Sequence, residues 1–125
     1  MGNLVLAGES WRIRGAVFEV YKAMGSGFLQ PVYQECLEIE LAQRGIPFAA
    51  QVELPLHYRD RRLATSARAD LVCFSQVVVE VWALKELGNE HRARLHHLLH
   101  AGGFRLGLLV NFGHHPGVEI ERIVM

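Results

Sequence analysis

Two carboxylates within an apolar stretch are the residues of this sequence best suited to chemistry. Asp70 and Glu80 lie in the segment from Arg68 to Trp82, where two apolar runs rich in β-branched residues flank Ser75-Gln76. This pattern predicts a buried β-hairpin. A bare charge in such a hairpin is costly unless a metal ion, a cation or water compensates it. Because carboxylate oxygens suit Mg²⁺, the two acids predict a candidate divalent-metal site.

The pleat of the hairpin sets a geometric condition on this site. Side chains alternate along a strand, so the two acids share a face if Asp70 lies directly opposite Glu80. A two-residue turn at Ser75-Gln76 would instead pair Asp70 with Val81 and place the carboxylates on opposite faces. A shared site therefore predicts an odd-length loop or a bulge at this turn.

The composition describes a chain with a sizeable core and no excess of charge. It has 125 residues, 50% of them hydrophobic, with 13 Lys and Arg against 13 Asp and Glu. We expect one domain over residues 1–125. The balanced charge argues against a strongly electrostatic, nonspecific nucleic-acid binder, although a local basic patch remains compatible with it. Cys36 and Cys73 lack metal-ligand spacing and suggest reduced thiols of a cytoplasmic protein; no apolar run approaches membrane-spanning length.

Hydrophobic periodicity predicts the element order ααβββαββ. The predicted helices cover about 10–24, 29–44 and 90–101, the first capped by Ser10. Five strands are predicted. The first covers about 48–58, and the second follows the charged turn at 59–62 and merges with the central hairpin. The third is the return strand of that hairpin, and the last two cover about 104–112 and 118–124. Pro55 places part of the first strand at a sheet edge. We therefore expect an α/β fold in which helices flank a mixed sheet.

Four stretches of the sequence match motifs of one known family. They are Glu19-Val20-Tyr21, Gly27 to Tyr33, Arg68-Ala69-Asp70-Leu71 and Leu108 to Phe112. Together they resemble the GxxExxY proteins, a small bacterial family of the PD-(D/E)XK nuclease superfamily. The resemblance implies a restriction-endonuclease-like core and a nuclease-type site. It also implies that Glu19, Asp70 and Glu80 are the candidate ligands of a catalytic Mg²⁺.

Three polar positions depart from the pattern of that family. Gln30 replaces the glutamate of the naming motif, Trp82 replaces the lysine of a Glu-x-Lys element, and Arg94 stands where the third helix usually has glutamine. An indole has one N–H donor and no charge, so it cannot take over the role of an ammonium group beside a scissile phosphate. Lys85 is the remaining candidate for a catalytic lysine. Arg94 could instead pair with Glu80 and replace the missing positive charge.

Other candidate cleft residues admit two interpretations each. Tyr33 could hydrogen-bond with Gln30 across the cleft, or it could be a core residue with its hydroxyl at the rim. His91 projects near the buried stripe of the third helix and is a candidate cleft residue. The remaining histidines of that helix are expected to face solvent rather than bind zinc, namely His96, His97 and His100.

The turn between the first two strands is basic, with Arg59, Arg61 and Arg62. These side chains could contact phosphates, but without interleaved aromatic residues we favour a solvated turn.

We favour a catalytically deficient nuclease-type fold that acts as a binding or structural module. The first alternative is an active Mg²⁺-dependent nuclease that cleaves DNA or RNA through Asp70 and Glu80, with Lys85 as the substitute lysine. The second is a homodimeric assembly module that pairs through an edge strand at 118–124. Mg²⁺ is the candidate cofactor, with weak or absent binding expected. Nucleic acid and a second copy of the chain are the candidate partners, and no membrane contact is expected.

Overall fold

The computed structural model describes residues 4–125, which form three helices and five strands. Along the chain these are α1 (Ala7–Met24), α2 (Gln30–Gln43), β1 (Phe48–Tyr58), β2 (Arg61–Cys73), β3 (Val77–Trp82), α3 (Asn89–Gly102), β4 (Leu106–Asn111) and β5 (Glu119–Val124). The predicted α/β order is confirmed. The predicted cap of α1 is wrong, because the helix begins at Ala7 after Leu6, a residue with left-handed backbone at φ 52°. Ser10 is buried inside that helix.

The five strands form one sheet in the order β1-β2-β3-β4-β5. Strands β3 and β4 are parallel, and the other neighbouring pairs are antiparallel. The parallel pair is connected through α3, as a crossover between parallel strands requires. Every residue of β4 is buried, which explains why its sequence is nearly continuously apolar. Strands β1 and β5 form the two edges, and Pro55 lies on edge strand β1 as predicted.

Helices cover the sheet on both faces. The larger apolar cluster joins α1 and α2 to one face of the central strands, and the smaller cluster joins α3 to the other. The fully buried side chains of the first cluster include Ile13, Tyr33, Leu37, Leu71, Leu108 and Phe112. Those of the second include Leu95, Leu99 and Leu109. Burial of this apolar surface holds the three helices against the sheet.

The turn between β2 and β3 meets the geometric condition for a shared face. Its loop has an odd number of residues, Phe74, Ser75 and Gln76, because Cys73 pairs with Val77. Phe74 and Ser75 both have left-handed backbone, at φ 57°. The chain is fixed there by a hydrogen bond of 2.8 Å from the Phe74 N–H to the Pro47 carbonyl. The prediction of an odd-length loop is therefore confirmed.

Candidate functional site

Strands β2 and β3 separate beyond the Leu71–Val79 pair, and two carboxylates fill the gap. The Asp70 N–H donates to Glu80 Oε2 over 2.8 Å, and the Val81 N–H donates to Asp70 Oδ2 over 2.8 Å. Each carboxylate thus accepts a hydrogen bond from the backbone of the opposite strand. These bonds replace ladder bonds that the separated strands no longer make, so the acids join the two strands as well as forming a pair.

Burial makes ionisation of both acids less favourable than it would be in water. Glu80 is only 1% exposed. Burial, followed by the charge of Asp70, raises the pKa of Glu80 from 4.5 to about 7, although the Asp70 N–H and Arg94 oppose the shift. Burial is also the main reason why the pKa of Asp70 is raised, against the Val81 N–H and the charge of Arg94. Near neutral pH the Glu80 carboxyl is therefore poised to gain or lose a proton.

A guanidinium group from α3 compensates this buried negative charge. Arg94 Nε donates to Glu80 Oε1 over 3.3 Å, and Arg94 Nη2 donates to the Arg68 carbonyl over 3.3 Å. The Arg94 side chain is 51% exposed, whereas that of Glu80 is 1% exposed. The predicted ion pair between Arg94 and Glu80 is therefore present, with its cation at the solvent side.

A pocket of about 540 Å³ opens onto this group of charges. It brings together five of the residues singled out in the sequence: Gln30, Asp70, Glu80, Trp82 and Arg94. The remaining wall comes from the start of α2 and from the chain around the end of β3, namely Leu29, Pro31, Val81, Ala83 and Leu84. The pocket thus lies where β2 and β3 separate, between the N-terminal end of α2 and α3.

A family model for the PD-(D/E)XK nuclease superfamily matches residues 8–123. The chain belongs to this superfamily. The crystal structure of SSO0001 is similar in fold, with a TM-score of 0.62 and 17% sequence identity. The match covers 75% of this chain and 48% of that protein, so the chain spans about half the length of that relative. The comparison with curated proteins gave no match.

Two residues that would serve a superfamily-type catalytic site lie outside the pocket. Glu19 is exposed on α1, because the neighbouring Val20 is on the helix face that packs into the core. Lys85 is exposed in the connection between β3 and α3 and is not among the residues lining the pocket. The structure thus places Glu19 and Lys85 outside this pocket, and their roles as third metal ligand and substitute lysine stay predictions.

Tyr33 supports the loop before α2 and does not line the pocket. Its ring is fully buried and stacks on Phe112 at a centroid distance of 4.7 Å. Its hydroxyl donates to the Gly25 carbonyl over 2.6 Å and accepts from the Phe28 N–H over 3.1 Å. Gln30 instead donates to Gln34 Oε1 over 3.4 Å. Of the two interpretations of Tyr33, the structure supports the core residue and not the bond across the cleft.

The rings of Trp82 and His91 pack edge to face, and Trp82 lines the pocket together with the acids. Their ring centroids are 4.5 Å apart with an interplanar angle of 64°. His91 Nδ1 accepts from the Gly88 N–H over 2.9 Å, which fixes the start of α3. His91 is not among the residues lining the pocket, and its role as a cleft residue stays a prediction. The Trp82 Nε1–H is buried and has no hydrogen-bond acceptor among residues 4–125. The superfamily position expected to carry a lysine thus holds a packed ring.

Asn111 is a supporting residue that the sequence analysis did not single out. It is fully buried at the end of β4, and its Oδ1 accepts from the N–H groups of Leu84 and Gly113 over 2.8 and 3.1 Å. Its Nδ2 donates to Glu119 Oε1 over 2.9 Å. These bonds hold the connection after β3 and its pocket residue Leu84. A lone amide at the end of an otherwise apolar run is the sequence signal that could have identified it.

The donor set of this pocket does not fit the Mg²⁺ ion of a superfamily nuclease. Within residues 4–125, no three His, Cys, Asp or Glu side chains are grouped so that they could hold a metal ion. Three of the four oxygens of Asp70 and Glu80 already accept hydrogen bonds from protein donors, one of them the guanidinium of Arg94. Mg²⁺ is commonly bound by one or two carboxylates and several waters, so it needs carboxylate oxygens that are open to it, and only one of these four accepts no hydrogen bond. A positive group at the carboxylates also opposes the approach of a second cation.

The raised pKa of Glu80 predicts a specific dependence of stability on pH. The folded protein holds this proton up to about pH 7, while the unfolded chain releases it near 4.5. The folded state therefore binds more protons between these values, and the contribution of Glu80 to stability decreases as pH rises through that window. The wild-type protein should lose on the order of 1–3 kcal/mol of unfolding free energy between pH 4.5 and pH 7 because of Glu80. We expect Glu80→Gln to lack this loss.

Urea unfolding of the wild-type protein and the variant across this range measures the effect. Glu35→Gln is the matched control, because Glu35 is an exposed glutamate of α2. An unchanged pH dependence in Glu80→Gln would contradict the raised pKa.

Proposed function

We propose that this chain is a nuclease-fold module that binds nucleic acid without cleaving it. Membership of a superfamily of nucleases supports the choice of ligand. The proposed absence of cleavage rests on the ion pair between Arg94 and Glu80, at 3.3 Å. Phosphodiester hydrolysis by such a site uses a metal ion to polarise the phosphate and to lower the pKa of the attacking water. Here the guanidinium takes the place beside the carboxylate.

The charge of the pocket supports binding without catalysis. Arg94 balances one carboxylate, and the pKa of Glu80, raised to about 7 by burial, leaves that acid partly protonated at neutral pH. The pocket therefore carries little net negative charge to repel a phosphate group. Trp82 supplies a ring and no positive charge two residues after Glu80. Nothing in the lining of this pocket supplies the ammonium group that would stabilise the charge developing during cleavage.

Incubation with plasmid and single-stranded DNA or RNA, in the presence of Mg²⁺ or Mn²⁺, tests the proposal. We expect no more cleavage by the wild-type protein than by Asp70→Asn, while both retain binding in fluorescence anisotropy. Asparagine keeps an oxygen that can accept from the Val81 N–H, so this variant leaves the strand junction intact. Cleavage by the wild-type protein that disappears in Asp70→Asn would overturn the proposal in favour of an active nuclease.

Removal of the guanidinium should make the acid pair a better metal site. In Arg94→Gln, Glu80 Oε1 loses its cationic partner and a divalent ion no longer meets a positive group. We expect Mn²⁺ to bind this variant at least about tenfold more tightly than wild type, or ~1.4 kcal/mol, as measured by calorimetry. Arg92→Gln is the matched control, because Arg92 lies on the same helix but pairs with Glu121 over 2.6 Å. Equal Mn²⁺ affinities in all three proteins would contradict this role of Arg94.

Self-association is a second candidate, favoured by an exposed apolar surface on α1. Trp11 is 67% exposed and Phe18 is 49% exposed, and both line a cavity of about 360 Å³. Arg122 of edge strand β5 lines the same cavity. If this surface forms a homodimer, the mass from light scattering should be twice that of the monomer and should halve in Trp11→Ser/Phe18→Ser. Ile39→Ser, at another exposed apolar residue, is the control; a monomeric wild-type protein would exclude this candidate.

The cysteines support a reducing compartment as the location of the module. Cys36 and Cys73 are both free thiols. Burial raises the pKa of Cys73 to about 12, so its thiol is unreactive at neutral pH. We therefore retain the cytoplasm as the proposed location. We also retain the proposal that residues 1–125 form one functional domain. Within residues 4–125, no helix is long and apolar enough to cross a membrane.

A further inference from the structure

The end of the β1–β2 hairpin is a short, exposed two-stranded arm. We define the arm as residues 57–66, all of which are exposed. The register of the two strands shifts between Pro55 and His57, at the base of the arm. Beyond this shift, His57 and Tyr58 of β1 pair with Arg62 and Arg61 of β2, so the paired part of the arm has two residues in each strand and is about 7 Å long at ~3.3 Å per residue. A ribbon exposed on both faces adds little to the core, so its sequence is free to serve a partner.

The end of the arm concentrates positive charge. Arg59, Arg61 and Arg62 lie there beside a single acid, Asp60, in a chain whose formal net charge is zero. The salt bridges formed within residues 4–125 involve none of these arginines. Their guanidinium groups are therefore available to an external anion. Arginine is well suited to phosphate because its planar fork can donate two parallel hydrogen bonds.

The backbone of the turn between β1 and β2 does not favour an arginine at its first residue, position 59. Arg59 has left-handed backbone, with φ 56°, where glycine would be less strained. Its guanidinium lies 5.3 Å from the centroid of the exposed Tyr58 ring. A strained residue at an exposed tip is more readily explained by a function of its side chain than by the stability of the turn.

We propose that the arm contacts the phosphates of duplex DNA through Arg59, Arg61 and Arg62. This inference rests on the proposed function and locates its contact surface. A two-stranded ribbon fits the major groove of B-DNA, which is about 12 Å wide. The major groove of an RNA duplex is deep and narrow and does not admit such a ribbon. The arm therefore selects duplex DNA over duplex RNA.

The arm and the pocket lie on the same strand. Arg62 is separated from Asp70 by eight positions of β2, which span at most about 26 Å. A DNA duplex that touches both must therefore extend over roughly eight base pairs, at 3.4 Å per base pair. A probe of about 20 base pairs is long enough to cover both contacts.

Fluorescence anisotropy with a labelled DNA duplex, titrated at several salt concentrations, tests the inference. We expect the triple variant Arg59→Ala/Arg61→Ala/Arg62→Ala to raise the Kd at least tenfold, and to reduce the slope of log affinity against log salt by about 2–3, at ~0.9 for each lost phosphate contact. The matched control removes three exposed positive charges outside the arm, in Lys22→Ala/Arg44→Ala/Arg105→Ala. Its salt slope should stay close to that of the wild-type protein.

Arg59→Gly separates the contact from the stability of the turn. Glycine relieves the left-handed backbone, so the thermal midpoint should equal or exceed that of the wild-type protein. Affinity for DNA should nevertheless fall about two- to fivefold, because one phosphate contact is lost.

Each outcome bears on one of the two proposals. Wild-type affinity in the triple variant, or tighter binding of an RNA duplex than of the DNA duplex, would overturn the role of the arm while leaving nucleic-acid binding in place. A wild-type protein that binds neither duplex nor single strands would overturn the proposed function itself, together with the inference that rests on it.

Discussion

The reciprocal bonds between Asp70 and Glu80 are the constraint on which the site depends. Each carboxylate accepts a backbone N–H over 2.8 Å at the point where β2 and β3 part. The strands can separate there without leaving two buried N–H groups unpaired, an omission that would cost about 1–3 kcal/mol for each group. The same bonds hold the two acids close together, with Glu80 buried and Asp70 half-buried. Their need for a compensating positive group follows from this arrangement.

Either a metal ion or a guanidinium can meet that need, and the two differ in consequence. Arg94 is tethered to α3, so it reaches Glu80 without the translational entropy that a free ion loses on binding. A metal ion would have to displace it and shed its own water. The tethered cation thus stabilises the pair and at the same time opposes the binding of a metal ion to Glu80. Trp82, packed against His91, adds bulk at a superfamily position expected to carry a charge.

The sequence predicted the features that depend on short-range regularities. The element order follows from periodicity, and the odd-length loop before Val77 follows from side-chain alternation; both are confirmed. Features that depend on distant contacts were not predictable in this way. Lys85 lies outside the pocket in a connection that Asn111 holds through Leu84, a bond between residues 27 positions apart. Membership of the superfamily is shown, whereas the narrower GxxExxY assignment and the roles of the site residues stay predictions.

Net charge alone does not predict where a chain can attract an anion, because it ignores the position of each charge. The chain has equal numbers of basic and acidic residues, yet α2 carries Glu35, Glu38 and Glu40 without one lysine or arginine. The arm carries three arginines and one acid. Within a Debye length of about 8–10 Å, a phosphate senses the nearby charges rather than the total. A neutral chain can therefore present a basic surface, and the fold, which leaves residues 57–66 exposed, decides where that surface lies.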